Sequence, residues 1–303
     1  MMKQCMVMAT AIGALVACGG SDNGGEEGGN EAGKSERVVL QNKGSDTLVN
    51  VAQGWAEAYK GVNANVAVAV SGGGSGTGIA AMMNGTVDIA NSSRKMKDKE
   101  IELAKSKGIE PVEHVVGFDA LAVFLHQDNP LSEVTIEQLK QIYGEGGTFD
   151  KWSDLGITVP GCDSDEIVRV SRQNNSGTYA YFKKAVIGKG GEYKLGSRDM
   201  HGSKDVVDLV EKTPCAIGYS GLAYATDHIK MPCVKAGDDA ECIAPSVQTA
   251  ADGSYGIARP LLMYTNGAPE GAVKAYMDWI MSDDGQCIVA EKGYAPAKDV
   301  SCE

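Results

Sequence analysis

Three stretches of the chain share one order of hydrophobic and polar positions: an apolar run, a polar loop, and then apolar residues at helical spacing. The apolar runs are "RVVLQ" (37–41), "NVAVAV" (65–70) and "IVRVS" (167–171). Short runs of this kind, bounded by turn-forming residues, predict strands. Each of the three therefore predicts the start of one strand–loop–helix unit.

After each loop, apolar residues return at spacings of three and four, which predicts a helix with one buried face. The stripes run from Leu48 to Tyr59, from Ile79 to Met83 and from Tyr179 to Val186. Glycine ends helices readily because it adopts left-handed backbone angles. The predicted helix stops are Gly61, Asn84-Gly85 and Gly188.

Further segments continue the alternation of strands and helices. We predict strands at 119–127 and 256–266, a strand with a turn at 216–225, and helices at 135–143 and 271–282. Such alternation implies mainly parallel sheets flanked by helices, with ligands bound at the carboxyl ends of the strands. The predicted fold class is therefore α/β.

The three loops between these strands and helices are candidates for binding an anion. They end in Ser45-Asp46-Thr47, Ser75-Gly76-Thr77 and Ser176-Gly177-Thr178. The first amides of a helix lack partners and attract negative charge, and glycine lets the backbone approach a ligand closely. Arg172, four residues before Ser176, adds a planar fork of donors suited to an oxyanion.

A plainer explanation of each loop is helix capping, because Ser, Thr and Asp are the favoured N-cap residues. The recurrence of the pattern in three loops favours a ligand. A nucleotide P-loop is excluded, since the chain has no GxxxxGK[ST] motif, and "GSGTGI" (74–79) does not match GxGxxG.

The charge of the chain excludes one large class of partner. Its formal net charge is −12, and no basic run stands out. Binding of nucleic acid requires lysines and arginines that displace counterions from phosphates. A small anion is still possible, because a local site can be built from neutral dipoles inside an acidic protein.

The first residues resemble an export signal. Residues 1–17 contain Lys3 followed by an apolar run that is too short to span a bilayer. "LVAC" resembles a bacterial lipobox, in which Cys18 becomes lipidated, and 18–36 then form a Gly- and Glu-rich tether that we expect to be disordered. Ordinary signal cleavage with an incidental cysteine is the alternative.

Six of the eight cysteines lie beyond this leader, and an even number in an exported chain suggests disulfides. Proximity in sequence suggests three pairs, although other pairings are formally possible. The pairs are Cys233 with Cys242, Cys287 with Cys302, and Cys162 with Cys215. We expect no metal site, because there is no CxxC and the four histidines are scattered.

Enzymatic motifs are weak in this chain. The hydrolase elbow GxSxG fails at "GGSGT" (73–77) and at "GYSGL" (218–222). No serine has a histidine and an orienting acid near it in sequence, and no acid/base pair of carboxylates stands out. We therefore expect a binding protein without a cofactor.

The sequence resembles the phosphate-binding proteins of bacterial high-affinity phosphate ABC importers, which are type II periplasmic binding proteins. The resemblance covers nearly everything from about residue 37 onward, and its stretches occur in the family order. They are "GSDTLVNVAQGWAEAY", "SGGGSGTGIAAMMNGTVDIANSSR", "LAVFLHQDNPLSEVTIEQLKQIYGEGGTFDKWSDLG", "VSRQNNSGTYAYF", "AIGYSGLAYA" and "YGIARPLLMYTN".

This resemblance implies one dehydrated phosphate held between two lobes that are joined by two hinge strands. The first lobe would be 37–117 plus 253–303, and the second would be 118–252. The implied partners are inorganic phosphate and the membrane subunits of an ABC permease. The protein would be a monomer in the periplasm or at the outer face of the cell membrane, lipid-anchored. The implied ligand residues are Ser45, Asp46, Thr47, Ser75, Ser93, Arg94, Arg172, Ser176, Gly177 and Thr178.

The chain departs from the family pattern at two positions. Some members have an aspartate where this chain has Ser93, and that carboxylate accepts the proton of hydrogen phosphate and repels sulfate, which carries none. We hypothesise that Asp46 takes over this discrimination, since a placed repulsive group can reject an isostere; the alternative is that Asp46 only caps its helix. Asn174 stands where members often place an aspartate that orients the arginine.

Three other functions compete with phosphate transport. The ligand could be another tetrahedral oxyanion, such as sulfate, tungstate or arsenate. The protein could be an exported phosphatase with a loop serine as nucleophile. It could also be a surface adhesin or regulator that has kept the fold.

Overall fold

The computed structural model describes residues 37–302, and these residues form twelve strands and nine α-helices. The strands are β1 (Val38–Gly44), β2 (Val66–Ser71), β3 (Ile89–Ser92), β4 (Pro111–His126), β5 (Glu133–Thr135), β6 (Val168–Arg172), β7 (Arg198–Met200), β8 (Ala216–Gly221), β9 (Ile229–Lys230), β10 (Cys233–Lys235), β11 (Cys242–Ile243) and β12 (Ala258–Asn266). The helices are α1 (Val49–Val62), α2 (Ser75–Met83), α3 (Asp98–Ser106), α4 (Ile136–Tyr143), α5 (Gly177–Phe182), α6 (Ser203–Glu211), α7 (Val247–Ala251), α8 (Gly271–Ile280) and α9 (Asp283–Glu291).

The shorter helical turns adjoin these elements. Single 3₁₀ turns occur at Asp46–Leu48, Trp152–Leu155 and Leu222–Tyr224, and a π-helical turn at Lys183–Ile187 extends α5. The expected signal segment 1–17, Cys18 and the tether 18–36 lie outside the described residues. Within residues 37–302, no helix has both the length and the apolar character needed to cross a bilayer.

The main sheet has the strand order β2-β1-β3-β12-β4-β8-β6-β7, with β9 added beside β4. Strands β1, β2 and β3 are parallel, as are β6, β7 and β8. The long strand β4 runs through both groups: its first part pairs with β12 and its second part with β8, each antiparallel. This two-lobed α/β arrangement confirms the predicted fold class.

Separate apolar cores stabilise the two halves of the sheet. One half buries Trp55, Tyr59 and Ile89 between α1, the sheet and α8, with a second cluster around Ile79 under α2. The other half buries Trp152 and neighbouring residues in one cluster and a valine-rich face of α6 in another. Burial of a side chain of this size contributes about 2–3 kcal/mol, so each half has its own source of stability.

All three strand–loop–helix units predicted from the sequence are present, and the second and third helices end at their predicted stops. The first helix passes Gly61 and ends at Val62, so the predicted stop is wrong by one residue. A Cβ on Gly61 would meet nothing within 4 Å, which shows that this glycine is tolerated in the helix rather than required for a turn. The third helix does end at Gly188, which has a φ of 94°.

The structure contains the three disulfides that proximity suggested. They join Cys162 to Cys215, Cys233 to Cys242 and Cys287 to Cys302. All three lie away from the serine and threonine loops, so we assign them to stability.

Candidate anion-binding site

Two of the loops predicted from the sequence meet Ser93 at the carboxyl ends of three parallel strands. Ser45 follows β1, Ser75 begins α2 after β2, and Ser93 follows β3. All three side chains are buried, and their hydroxyls touch: Ser45 Oγ donates to Ser93 Oγ at 2.9 Å, and Ser75 Oγ lies 3.4 Å from Ser93 Oγ. The backbone N–H of Ser93 donates to Ser75 Oγ at 3.0 Å.

The loop before α5 closes onto this serine cluster from the other half of the molecule. A Cβ on Gly177 would lie 2.2 Å from Ser75 Oγ and 2.4 Å from Ser93 Oγ, distances that no real Cβ tolerates. Only glycine fits there. Next to it, Thr178 Oγ1 lies 3.1 Å from Thr47 Oγ1, although the two residues are 131 positions apart.

Ser176 combines helix capping with a free donor. Its side-chain oxygen accepts from the backbone N–H of Thr178 at 3.1 Å and of Tyr179 at 3.4 Å. The capping role anticipated from the sequence is therefore real. Because these two bonds use the Ser176 oxygen only as an acceptor, its hydroxyl can still donate a hydrogen bond to an anion.

The glycine-rich loop 71–78 packs directly against residue Asn175. Gly76 N donates to Asn175 O at 3.0 Å, and Asn175 Nδ2 donates to Gly73 O at 3.0 Å. A Cβ on Gly74 would lie 2.8 Å from Asn175 O, and Gly74 has a φ of 91°, a left-handed value that favours glycine. The glycines thus allow the two halves to approach closely.

Arg172 ends β6 and is almost wholly buried beside the loops. Its guanidinium donates to Asp46 Oδ2 at 2.9 Å, to Ser203 Oγ at 2.9 Å, and to the backbone oxygens of Met200 and His201. Burial lowers the pKa of Arg172, and the Asp46 carboxylate opposes that shift. Because arginine remains protonated in proteins, the site holds a permanent positive charge.

Asp46 does not cap the helix that follows it; its carboxylate bridges two other parts of the site. Its Oδ1 accepts from the N–H of Gly73 at 2.8 Å, and its Oδ2 accepts from Arg172. The 3₁₀ turn that begins at Asp46 has no side-chain cap bond, so the capping alternative is wrong. Asp46 instead supplies the carboxylate partner of Arg172. Family members often have an aspartate for this role at the position where this chain has Asn174.

Arg94 differs from the other expected ligand residues. Both of its terminal nitrogens donate to the carboxylate of Glu100, at 2.7 Å each, and Nη1 also donates to Lys95 O. The guanidinium therefore links the end of β3 to α3. In the structure it has no bond to the serine or threonine hydroxyls among the described residues.

Sequence reasoning missed a second buried ion pair at the site, between Arg259 on β12 and Asp119 on β4. Arg259 Nη2 lies 2.8 Å from Asp119 Oδ2, and neither side chain has any exposed surface. The same nitrogen donates to Thr47 Oγ1 at 3.2 Å and to Thr178 Oγ1 at 3.1 Å. The available signal was an arginine inside an apolar strand, which is rarely buried without a partner.

The fold and this enclosed polar site define a solute-binding protein of the periplasmic-binding-protein type. A family model described as a PBP superfamily domain matches residues 27–284. The phosphate-binding protein PstS of Pseudomonas aeruginosa is 33% identical over 301 residues, which cover 95% of this chain and 92% of that protein. PstS of Staphylococcus saprophyticus is 32% identical over 286 residues, covering 91% and 85%.

A solved structure gives the same answer. It is described as a phosphate ABC transporter substrate-binding protein with bound phosphate, from Clostridium perfringens. It matches with a TM-score of 0.76 and 29% identity, covering 86% of this chain and all of that one. The chain belongs to the PstS phosphate-binding protein family of the PBP superfamily.

Proposed function

We propose that this protein binds inorganic phosphate between its two lobes and delivers it to the membrane subunits of an ABC importer. The relatives named above carry phosphate binding in their names. One structural observation carries the proposal: hydroxyls of Thr47 and Thr178, from opposite halves of the chain, meet 3.1 Å apart next to a buried arginine.

The chemistry of the site suits a dehydrated oxyanion. Burying a charge is costly unless hydrogen bonds and opposite charges replace the lost water. The loops supply neutral donors from serine and threonine hydroxyls, and Arg172 and Arg259 supply positive charge. Charge-assisted bonds of this kind are about twice as strong as neutral ones.

Isothermal titration with phosphate, arsenate and sulfate tests the ligand. We expect one phosphate per chain, competition by arsenate and no binding of sulfate. Arg172→Lys keeps the charge but loses the planar fork, and we expect it to weaken phosphate binding by about tenfold or more. The matched control is Arg169→Lys, since Arg169 lies on the same strand and pairs with the exposed Asp150 rather than with a residue of the site. Equal binding of sulfate would point to the alternative oxyanion function.

The two-lobe boundaries belong to this proposal. We infer that 37–117 plus 253–303 and 118–252 form the lobes and that β4 and β12 are the hinge strands. The buried residues of three apolar clusters lie within these limits. The fourth, around Trp152, also includes Tyr255, Ile257 and Ala295, next to the proposed hinge. The contact of Gly177 with Ser75 is then a contact of the closed form, which is what we expect the permease to recognise. Limited proteolysis with and without phosphate tests closure, and an unchanged cleavage rate would contradict it.

Asp46 remains our candidate for discrimination between phosphate and sulfate. Support comes from its position beside Arg172 and next to Thr47. A carboxylate can accept the proton of hydrogen phosphate and repels sulfate. Asp46→Asn removes the charge at nearly constant size. Unchanged rejection of sulfate by this variant would end the hypothesis.

Export and lipid anchoring of a monomer through Cys18 complete the proposal. The three disulfides support an oxidising compartment outside the cytoplasm. Cys18→Ala should release the protein from the membrane fraction. Mass spectrometry of the mature N-terminus, showing an acylated or an unmodified cysteine, decides between lipidation and ordinary cleavage.

An exported phosphatase is the alternative from another class. Within residues 37–302, none of the clustered hydroxyls is hydrogen-bonded to a histidine, which a serine nucleophile would use as its base. Release of phosphate from an aryl phosphate by the purified protein would support this alternative.

A further inference from the structure

The ion pair between Arg259 and Asp119 sits where the two proposed hinge strands lie side by side. Residue Arg259 of β12 is paired in register with Asp119 of β4. Neither residue belongs to the ligand set carried over from the family resemblance. Their complete burial therefore needs its own explanation.

Burial of this pair is poorly explained by stability alone. Taking two charges out of water costs more than their attraction returns unless further hydrogen bonds satisfy them, and apolar replacements are often equally stable. Asp119 accepts from Arg259 through Oδ2 alone, and no other side chain among the described residues donates to it. Burial raises the pKa of Asp119, against the attraction of Arg259. Because burial of this pair costs folding free energy, we infer that the Arg259 guanidinium has a role other than stabilising the fold.

The guanidinium reaches both halves of the anion site. Nε and Nη2 form a fork on Asp119 Oδ2, at 3.1 and 2.8 Å, which fixes the plane of the group. With one Nη2 hydrogen directed at Asp119, the other is shared between Thr47 Oγ1 at 3.2 Å and Thr178 Oγ1 at 3.1 Å, and Nη1 donates to Ser93 O at 3.4 Å. One side chain thus contacts three segments that form the site.

These bonds determine what the threonines can do. A hydroxyl has one proton and two acceptor positions. The oxygens of Thr47 and Thr178 accept from Arg259, so their protons point to other groups. In this structure one proton spans the 3.1 Å contact between the two hydroxyls, and the other is left to be donated. An anion seated beside them, in place of that mutual contact, would receive two hydroxyl donors, one from each lobe, with a buried positive charge behind them.

We propose that Arg259, held by Asp119, is a positioning residue of the phosphate site that orients the hydroxyls of Thr47 and Thr178 as donors and joins the lobes around the anion. This inference rests on the proposed phosphate function. It assigns the residue a role in affinity and closure that is separate from the Arg172 fork.

The test is phosphate titration of Arg259→Lys, Thr178→Val and the double variant, with thermal unfolding of each phosphate-free protein. Lysine keeps the charge but cannot hold Asp119 and both hydroxyls at once. We expect Arg259→Lys to weaken binding by about 10- to 100-fold, the range of charge-assisted hydrogen bonds. Thr178→Ser should retain binding, and Thr178→Val should weaken it by a similar, measurable factor. The control Arg169→Lys should bind as the unchanged protein does.

Coupling between the variants separates positioning from simple destabilisation. If Arg259 acts through Thr178, the double variant should bind about as weakly as the worse single variant, because neighbouring sites are not additive. If the losses multiply, or if Arg259→Lys binds within about threefold of the unchanged protein, the inference is overturned.

A second variant covers the case in which Arg259→Lys does not fold. Arg259→Met combined with Asp119→Leu removes both charges together, so that no buried charge is left alone. It should fold and show the same loss of phosphate binding; retained binding overturns the inference. Failure of the unchanged protein to bind phosphate would overturn the proposed function as well, whereas normal binding by the unchanged protein and by the Arg259 variants would overturn this inference alone.

Discussion

Replacement of Gly177 by alanine gives the sharpest test of the site. The added methyl group would lie 2.2 Å from Ser75 Oγ and 2.4 Å from Ser93 Oγ, both across the contact between the two halves. Within its own helix the change is benign, because Gly177 begins α5 without a left-handed backbone angle. The substitution should therefore raise the free energy of the closed form, in which the two halves touch, without destabilising the helix α5 itself.

The size of the effect follows from this geometry. Two contacts must lengthen by about 1 Å to reach ordinary van der Waals distance, and overpacking of this kind costs about 1–3 kcal/mol. At about 1.4 kcal/mol per tenfold change, phosphate affinity should fall by about 5- to 150-fold. Alanine favours helix over glycine by up to about 1 kcal/mol, so the phosphate-free protein should be as stable as before or slightly more so.

The assay is titration with phosphate beside thermal unfolding of the phosphate-free protein. Gly61→Ala is the matched control, since Gly61 lies inside α1 and its Cβ would meet nothing within 4 Å. We expect the control to raise stability slightly and to leave binding unchanged. If Gly177→Ala binds phosphate as tightly as Gly61→Ala does, the site does not lie between Ser75 and α5.

Three other predictions concern selectivity, acid stability and the disulfides. Asp46→Asn should weaken phosphate binding because Arg172 loses its ionised partner, and, if Asp46 discriminates, it should let sulfate compete in the same titration. Burial resists ionisation of Glu100, but the Arg94 hydrogen bond and the Lys97 N–H outweigh it and hold its pKa below the ordinary value. That contribution to stability is complete above the unfolded-state pKa and is lost as the pH falls through the folded-state pKa. Glu100→Gln should therefore flatten the fall of the melting temperature between about pH 7 and pH 3, and an equally steep fall would refute the assignment. Paired Cys→Ser replacement should reduce the free energy of unfolding by about 4.2 kcal/mol for Cys162–Cys215, whose loop has 53 residues. The loss should be about 3.0 kcal/mol for Cys287–Cys302, with 15 residues, and about 2.6 kcal/mol for Cys233–Cys242, with 9 residues. Denaturant unfolding checks that order, and a largest loss for the shortest loop would contradict it.

Local patterns predicted several elements with strong periodicity and missed others. The stripe from Leu48 to Tyr59 is buried against the sheet as α1, because one face of that helix is apolar. Helices α3, α6, α7 and α9 were not predicted, although α6 has an apolar face of Val206, Val207 and Val210 that the sequence displays. In α3 and α9 the buried positions are few: Ala104 is the only buried residue of α3, so little apolar spacing marks the helix. Strand β4 also begins eight residues before the predicted start at 119.

The sequence by itself determined the α/β class, the strand–loop–helix units and the loops that contain Ser45, Ser75 and Arg172. Each of these depends on neighbouring residues, either through apolar periodicity or through motifs of a few positions. Only the tertiary structure decided which side chains face each other: Asp46 with Arg172, Arg94 with Glu100, and Arg259 with Asp119. Such pairs form between strands and loops far apart in the chain. Because local spacing does not encode those distances, the charges that surround the anion site emerged only from the packing of the two halves.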